Sequence, residues 1–145
     1  MEFAKRVGKI PVIVKDAPGF LVNRVLLGYV NEAGRLLEEG GSVERIDKIV
    51  VDFGLPMGPF TLSDEVGLDV GVKVLHILEA GLGHRFAPCD IFNKVYEMKL
   101  LGKKSGKGFY VHPAGRRGAV NGQIAALIKT GGRFDEKEAI ERMIG

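Results

Sequence analysis

Apolar residues recur every three or four positions over most of this chain, which is the period of amphipathic α-helices. The pattern predicts a long first helix from Pro18-Gly19 to about Glu39, where two glycines stop it. Shorter helices are predicted over 43–53, 59–66, 70–80, about 90–101, weakly over 119–130, and from residue 135 onward. The connections have ordinary bundle length, so the sequence predicts an all-α helical bundle.

Several of these helices carry recognisable start signals. Ser42 and Asp69 are expected to cap the helices that follow them. Asp135, with Glu138 three residues later, is close to a capping box for the last helix. Pro59 suits the first turn of the helix PFTLSDEV. The segment KKSGKGFYVHPAG, which is rich in glycine and lysine, is predicted to be extended.

Residues 9–15, KIPVIVK, depart from the helical period. They form a short β-branched run that predicts a strand, and Pro11 places it at a sheet edge or a strand start. No second convincing strand lies nearby in the sequence. An isolated strand indicates that its sheet is missing and that the chain is a fragment.

Asn23 is a polar residue within the apolar stripe of the first helix. At about 100° per residue, Leu27, Val30 and Gly34 fall within about 40° of it. The opposite, wet face is predicted to carry Arg24, Asn31, Glu32, Arg35 and Glu39, with Arg35 and Glu39 as an ion pair. A buried amide left unpaired costs about 1–3 kcal/mol. Asn23 therefore either bonds nearby backbone and fixes the helix start, or faces a substrate oxygen from a cleft wall.

Composition narrows the class of protein. The 145 residues contain one cysteine, Cys89, which favours a reducing compartment and excludes an internal disulfide. No apolar run has membrane-spanning length, and MEFAKRVGK lacks the apolar core of a signal peptide. The expected location is a bacterial-type cytoplasm or an organelle matrix, without secretion.

Charge is unevenly distributed. Eight basic residues and no acidic residue lie between positions 98 and 134. This block is either a solvated surface or an attraction for an anion such as a phosphorylated ligand. A nucleic-acid binder is a further alternative that predicts steep salt dependence, but no aromatic platform accompanies the lysines. Our interpretation is that no nucleic acid is bound.

Familiar catalytic motifs are missing from the sequence. There is no G-x-G-x-x-G, and GKKSGKG fails as a phosphate loop because Lys107 stands where glycine is needed. His76, His84 and His112 lack metal-site spacing, and His76 is predicted to be packed among apolar neighbours. The residues predict neither a metal site nor a cofactor loop, and Asn23 remains the most chemically suggestive side chain.

Three segments together resemble one known family. They are VIVKDAPGFLVNRVLLGYVNEAGRLLEEG, IDKIVVDFGLPMGPFTLSDEVGLD and LLGKKSGKGFY, in this order and spacing. Over residues 5–111 the chain resembles the C-terminal domain of the NAD-dependent 3-hydroxyacyl-CoA dehydrogenases. The resemblance implies a bundle of the type found in the C-terminal domain of 6-phosphogluconate dehydrogenase, preceded by the last strand of a missing Rossmann domain.

The resemblance also implies site residues. Asn23 matches the asparagine of the family's PGF-x-VNR motif, which helps to position the 3-hydroxyl or 3-keto oxygen in catalysis. Phe20 of the same motif is expected to contact substrate, as are three residues of the PMGPF turn, Met57, Pro59 and Phe60. A purely structural role of that turn in the core is the alternative. The family's catalytic histidine and glutamate have no counterparts in this chain.

The implied organisation has four parts. Residues 1–16 would end a nucleotide-binding domain, 17–112 would be the helical domain, 113–134 a basic linker, and 135–145 the start of a second helical copy. The last assignment rests on a weak echo of residues 22–26 in residues 140–144, and it favours the α subunit of a multifunctional fatty-acid oxidation complex.

The implied function belongs to a longer protein. That protein would oxidise (3S)-3-hydroxyacyl-CoA with NAD, whereas this fragment alone would be inactive and would bind no NAD. The fragment would supply the acyl-CoA cleft wall and a homodimer interface. A non-catalytic helical dimerisation module is the alternative.

Overall fold

Helices dominate a computed structural model that describes residues 1–129, 131–132 and 134–145. Its α-helices are α1 (Glu2–Arg6), α2 (Val22–Glu38), α3 (Val43–Phe53), α4 (Pro59–Val66), α5 (Leu68–Leu82), α6 (Asp90–Glu97), α7 (Gly122–Ala125) and α8 (Glu136–Ile144). Short 3₁₀ turns lie at His84–Phe86, Lys103–Ser105 and Pro113–Gly115. The described residues contain isolated β-bridges but no sheet, which confirms the all-α prediction.

Helix α2 is the centre of the bundle, and α3, α4, α5, α6 and α8 all pack against it. Its buried face includes Ala33, Leu36 and Leu37, which are completely buried. Gly34 allows the closest approach, since a Cβ there would lie 2.3 Å from the sulfur of Cys89 and 2.7 Å from the ring of Phe92. The apolar period of the sequence therefore describes the side of α2 that forms the core.

An aromatic cluster joins α4 and α6 to the GFY segment. The ring of Phe109 is fully buried, with ring centroids 4.5 Å from Phe60 and 5.6 Å from Phe92. The buried Asp64 carboxylate holds this segment by accepting hydrogen bonds from the N–H groups of Phe109 and Tyr110, both at 2.9 Å. Burial raises the pKa of Asp64, although these bonds oppose the change.

The helix ends differ from the predictions in several places. Ser42 caps α3 as predicted, its Oγ accepting the N–H of Arg45 at 3.2 Å. The predicted cap at Asp69 is wrong, because Gly67 is the residue that precedes α5. Asp135 does occupy the N-cap position of α8, but its side chain makes no cap bond. Helix α2 begins at Val22, after a turn at Pro18–Leu21, rather than at Pro18.

The weakest helix predictions shrink in the structure. Helix α6 ends at Glu97 rather than at about residue 101. Lys99, two residues after the end, has a φ of 58°, which a right-handed helix does not allow. Of the predicted helix over 119–130, Gly122–Ala125 is helical in the described residues. Residue 130, the last position of that prediction, lies outside the described residues, and so does Arg133 of the basic block. A short run with few buried side chains gains too little from packing to extend a helix.

The N-terminal segment contains an unpredicted short helix, α1, followed by residues without regular secondary structure. Residues 9–15 form no ladder with any described residue, and Ile10 is 93% exposed. A strand needs a partner edge for its backbone hydrogen bonds, and the described part of the chain supplies none. The strand therefore stays a prediction that requires a sheet from elsewhere.

Two polar side chains differ in burial from their predictions, one being buried and the other exposed. Asn31 was expected on the wet face but is 1% exposed, because residues 87–89 cover that side of α2. The His76 side chain was expected to be packed but is 56% exposed, with Nδ1 3.6 Å from Glu79. The buried histidine is instead His112, whose Nε2 lies 2.8 Å from Asp64.

Candidate functional site

Asn23 is held in the first turn of α2 by a tightly packed turn. Its backbone N–H donates to the carbonyl of Gly19 at 3.2 Å, and Arg24 Nε donates to the carbonyl of Pro18 at 2.9 Å. Gly19 has φ of 72°, and a Cβ there would lie 2.5 Å from the side chain of Leu78. The Pro-Gly pair thus sets both the backbone conformation before Asn23 and the close contact of this turn with α5.

The side-chain amide of Asn23 is half-buried and has no intramolecular hydrogen bond within the described residues. Asn31, on the same helix, shows the contrast. Its Nδ2 donates to the carbonyl of Ala87 at 2.8 Å, and its Oδ1 accepts the N–H of Cys89 at 2.9 Å. Backbone groups, rather than the Asn23 side chain, therefore make the bonds that fix the start of the helix. The side-chain amide is available to another molecule.

Asn23 borders an apolar cleft between α2, α4, α5 and α6 with a free volume of about 100 Å³. On the α2 side it is lined by Leu26, Leu27 and Val30, and on the α5 side by Gly71, Val74 and Leu75. Ser63 is the other lining residue with a polar side chain, and its hydroxyl already donates to the carbonyl of Pro59 at 2.7 Å. None of the described side chains that line it is ionisable. The cleft thus combines an apolar interior with one amide in its lining that has no partner among the described residues, which suits a ligand with an alkyl part beside an oxygen.

The other predicted substrate residues lie apart from this cleft. Phe20 is exposed in the turn before α2, and Met57 is half-buried in the turn before α4. Pro59 and Phe60 are buried at the start of α4, where the Phe60 N–H donates to Asp47 Oδ1 at 2.8 Å. None of the four lines the cleft that Asn23 borders. The positions of Pro59 and Phe60 favour the structural alternative for the PMGPF turn.

The basic block is partly neutralised by the bundle. Lys103 pairs with Glu65 at 2.8 Å and Lys104 pairs with Asp69, which fastens the glycine-rich loop over α4 and α5. The hydrogen bond from Lys104 lowers the pKa of Asp69. For these two lysines the structure supports the solvated-surface interpretation. No group of three metal-ligating side chains occurs among the residues that the structure describes.

The α5 wall of the cleft was missed at the sequence level. Val70, Gly71 and Val74 were placed on a helix but assigned no role, because helix α5 is apolar on most of its faces. Gly71, a glycine in the first turn of this apolar helix, is the one signal that pointed to this wall. Within the described ranges, no helix has the length and apolar character needed to cross a bilayer.

The fold and the cleft together define a helical domain with one amide, that of Asn23, in the lining of an apolar cleft. A family model described as "3-hydroxyacyl-CoA dehydrogenase, C-terminal domain" matches residues 19–112. The chain belongs to this family, as the sequence motifs implied.

Named relatives agree with this assignment. The fatty acid oxidation complex subunit alpha of Shewanella sp. (strain ANA-3) is 46% identical over 98% of this chain and 21% of its own length. The crystal structure of (S)-3-hydroxybutyryl-CoA dehydrogenase from Ralstonia eutropha is 36% identical with a TM-score of 0.74, over 77% of this chain and 41% of the other. The dehydrogenase part of multifunctional enzyme 1 from C. elegans is 29% identical with a TM-score of 0.73, over 99% of this chain and 34% of the other. The chain thus spans about a fifth of the curated relative and a third to two fifths of the two solved structures.

Proposed function

We propose that this chain is the helical part of a 3-hydroxyacyl-CoA dehydrogenase of fatty-acid β-oxidation, which converts (3S)-3-hydroxyacyl-CoA to 3-ketoacyl-CoA with NAD. The observation that carries the proposal is the unpaired amide of Asn23 at the edge of an apolar cleft. In this role the cleft takes part of the acyl group and Asn23 meets the oxygen on carbon 3. Membership of the family and the alpha-subunit relatives support it.

The chemistry suits a primary amide. As the 3-hydroxyl loses its proton, negative charge develops on the oxygen, and the Asn23 Nδ2–H₂ group can donate a hydrogen bond to it. The amide stays neutral throughout, so it stabilises the oxygen without competing for the proton. The base that takes the proton lies outside this chain in our proposal, since no histidine or ionisable side chain lines the cleft.

NAD does not fit the residues present here. A dinucleotide site needs a glycine-rich loop between a strand and a helix, and the described residues form no such unit. In our proposal NAD is the hydride acceptor of the whole enzyme and is held by a separate domain, of which residues 1–16 would be the last part. Calorimetric titration of this chain with NAD should give no binding heat, and stoichiometric binding would contradict this division of roles.

The experiment for Asn23 uses a full-length dehydrogenase that carries this domain. We expect Asn23→Ala to lower kcat about 10²- to 10³-fold, as for loss of one oxyanion donor, and Asn23→Asp to lower it at least as much. Asn93→Ala is the control, because Asn93 lies on α6 outside the cleft and makes only a 3.5 Å contact with Pro88. Normal turnover in Asn23→Ala would contradict the catalytic role of Asn23. An inactive wild-type enzyme would contradict the proposed function.

Pairing with another helical domain is the second part of the proposal. Leu21, Val22 and Val25 are exposed apolar residues at the start of α2, and they line a groove of about 390 Å³ together with Ile144 of α8. Such a surface supports contact with a second copy of the domain, as a homodimer or within one longer chain. A non-catalytic dimerisation module would use the same surface. Light scattering shows whether the chain pairs, and the kinetics of Asn23→Ala separate the two functions.

We further propose that residues 135–145 begin a second helical copy, with 113–134 as the linker. Helix α8 packs against α2 and α3, and Ala139 and Met143 are buried there. Arg142 bonds Glu32 and Glu39 of α2. These contacts support a defined position for α8 beside the domain.

A further inference from the structure

Gly71 is a glycine within helix α5 that no packing contact explains. It lies on the wall of the cleft that Asn23 borders, and a Cβ at this position would meet no atom within 4 Å. Glycine is disfavoured inside a helix relative to alanine, so the residue weakens α5 without making room for a neighbouring side chain. What its missing side chain provides is open space in the cleft.

Gly34 shows what a packing glycine looks like in the same bundle. A Cβ on Gly34 would lie 2.3 Å from the Cys89 sulfur and 2.7 Å from the ring of Phe92, so a side chain there cannot fit. Nothing comparable surrounds Gly71. Gly34 is therefore required by close packing, whereas Gly71 is not and leaves open space beside the helix.

The gap lies along the path that leads away from Asn23. Gly19 packs on Leu78 and Pro18 packs on Gly81, so the turn before α2 meets the end of α5. Leu75 and Gly71 both line the cleft, and Gly71 lies about 6 Å further than Leu75 from that contact along α5. A linear alkyl group that is bound with one end beside Asn23 and runs along the α5 wall therefore passes Gly71.

We propose that this cleft holds the alkyl tail of the acyl group and that Gly71 sets the tail length it accepts. The inference rests on the proposed function. An apolar cavity of about 150 Å³ takes a benzene ring, so the free volume of about 100 Å³ takes about four carbon atoms. Counted from a reacting carbon 3 at Asn23, four further carbons correspond to acyl groups of about seven carbons, a length that lies between the six- and eight-carbon substrates.

The test is the chain-length profile of a full-length dehydrogenase that carries this domain. The value of kcat/KM is measured with four-, six- and eight-carbon 3-hydroxyacyl-CoA for the wild type, Gly71→Ala and Gly71→Val. Each methylene excluded from the cleft changes binding about fourfold. We expect the ratio of eight-carbon to four-carbon kcat/KM to fall about fourfold in Gly71→Ala and tenfold or more in Gly71→Val.

Gly28→Ala is the matched control, because Gly28 is also a helical glycine with room for a Cβ, 3.9 Å from Phe86, and lies outside this cleft. It should leave the ratio unchanged. An unchanged ratio in both Gly71 variants overturns the inference, and so does an equal fall in Gly28→Ala. If Gly71→Val does not fold by circular dichroism, Gly71→Ala decides. An inactive wild-type enzyme contradicts the proposed function itself and is recognised before any variant is compared.

Discussion

The two asparagines of α2 should respond to mutation in opposite ways. Asn31 holds residues 87–89 against the helix with one donated and one accepted hydrogen bond. Asn23 holds nothing within the described residues. Replacing each by alanine therefore separates a structural amide from one that is available for ligand.

The magnitude for Asn31→Ala follows from the groups left behind. The buried N–H of Cys89 loses its acceptor, which costs about 1–3 kcal/mol. The carbonyl of Ala87 lies in a half-buried position and loses an ordinary hydrogen bond, worth about 0.5–1.5 kcal/mol. We expect the free energy of unfolding to fall by about 2–4 kcal/mol, a large part of the 5–15 kcal/mol typical of a domain. Asn23→Ala leaves no intramolecular partner unpaired and should change it by less than about 0.5 kcal/mol.

Urea unfolding followed by circular dichroism measures both values on this chain. Asn31→Ala should lower the midpoint while the slope of free energy against urea stays constant. Asn93→Ala is the control, because the Asn93 amide also contacts the 87–89 segment, at the Pro88 carbonyl, and it should resemble wild type since that 3.5 Å contact is weak. Equal losses for Asn23→Ala and Asn31→Ala would refute the separation of roles and restore the structural interpretation of Asn23.

Two further predictions concern the core and helix α8. Phe109→Ala should lower the free energy of unfolding, measured with urea, by about 3–5 kcal/mol, because it removes a fully buried ring from the aromatic cluster. Phe53→Ala, on the surface, should lower it far less. Arg142→Ala should lower stability at pH 7 by about 1–2 kcal/mol through its bonds to α2. The hydrogen bond from Arg142 lowers the pKa of Glu39, so the part of this stabilisation that comes from Glu39 is present above about pH 4.5 and is lost as pH falls through its folded-state pKa. Equal stability of wild type and Arg142→Ala at pH 7 would contradict the contact.

Much of the fold was predictable because periodicity is a local property. The apolar stripes predicted the five main helices of the bundle, and the cap at Ser42 is satisfied by a residue three positions away. The errors lie where long-range contacts override the local pattern. Asn31 is polar and off the apolar stripe, yet residues more than fifty positions later bury it.

The candidate site divides in the same way. Asn23 was found from a polar residue in an apolar stripe and from the family motif; it is among the residues that line the cleft, and its catalytic role stays a prediction. The PMGPF turn matched the motif equally well, but Phe60 lies in the core, so a motif match alone did not separate cleft from packing. His112 had no visible partner in the sequence, since Asp64 is 48 residues away.

The sequence by itself determined the helices, the family and the position of one suggestive amide, because each depends on residue types at short spacing. Only the tertiary structure decided that the amide of Asn23 has no partner in the part of the chain that is described, that Asn31 is a structural link, and that Gly71 lines a cleft. Those properties depend on which surfaces of α2 and α5 face each other. That arrangement follows from the packing of the whole bundle, and no local pattern contains it.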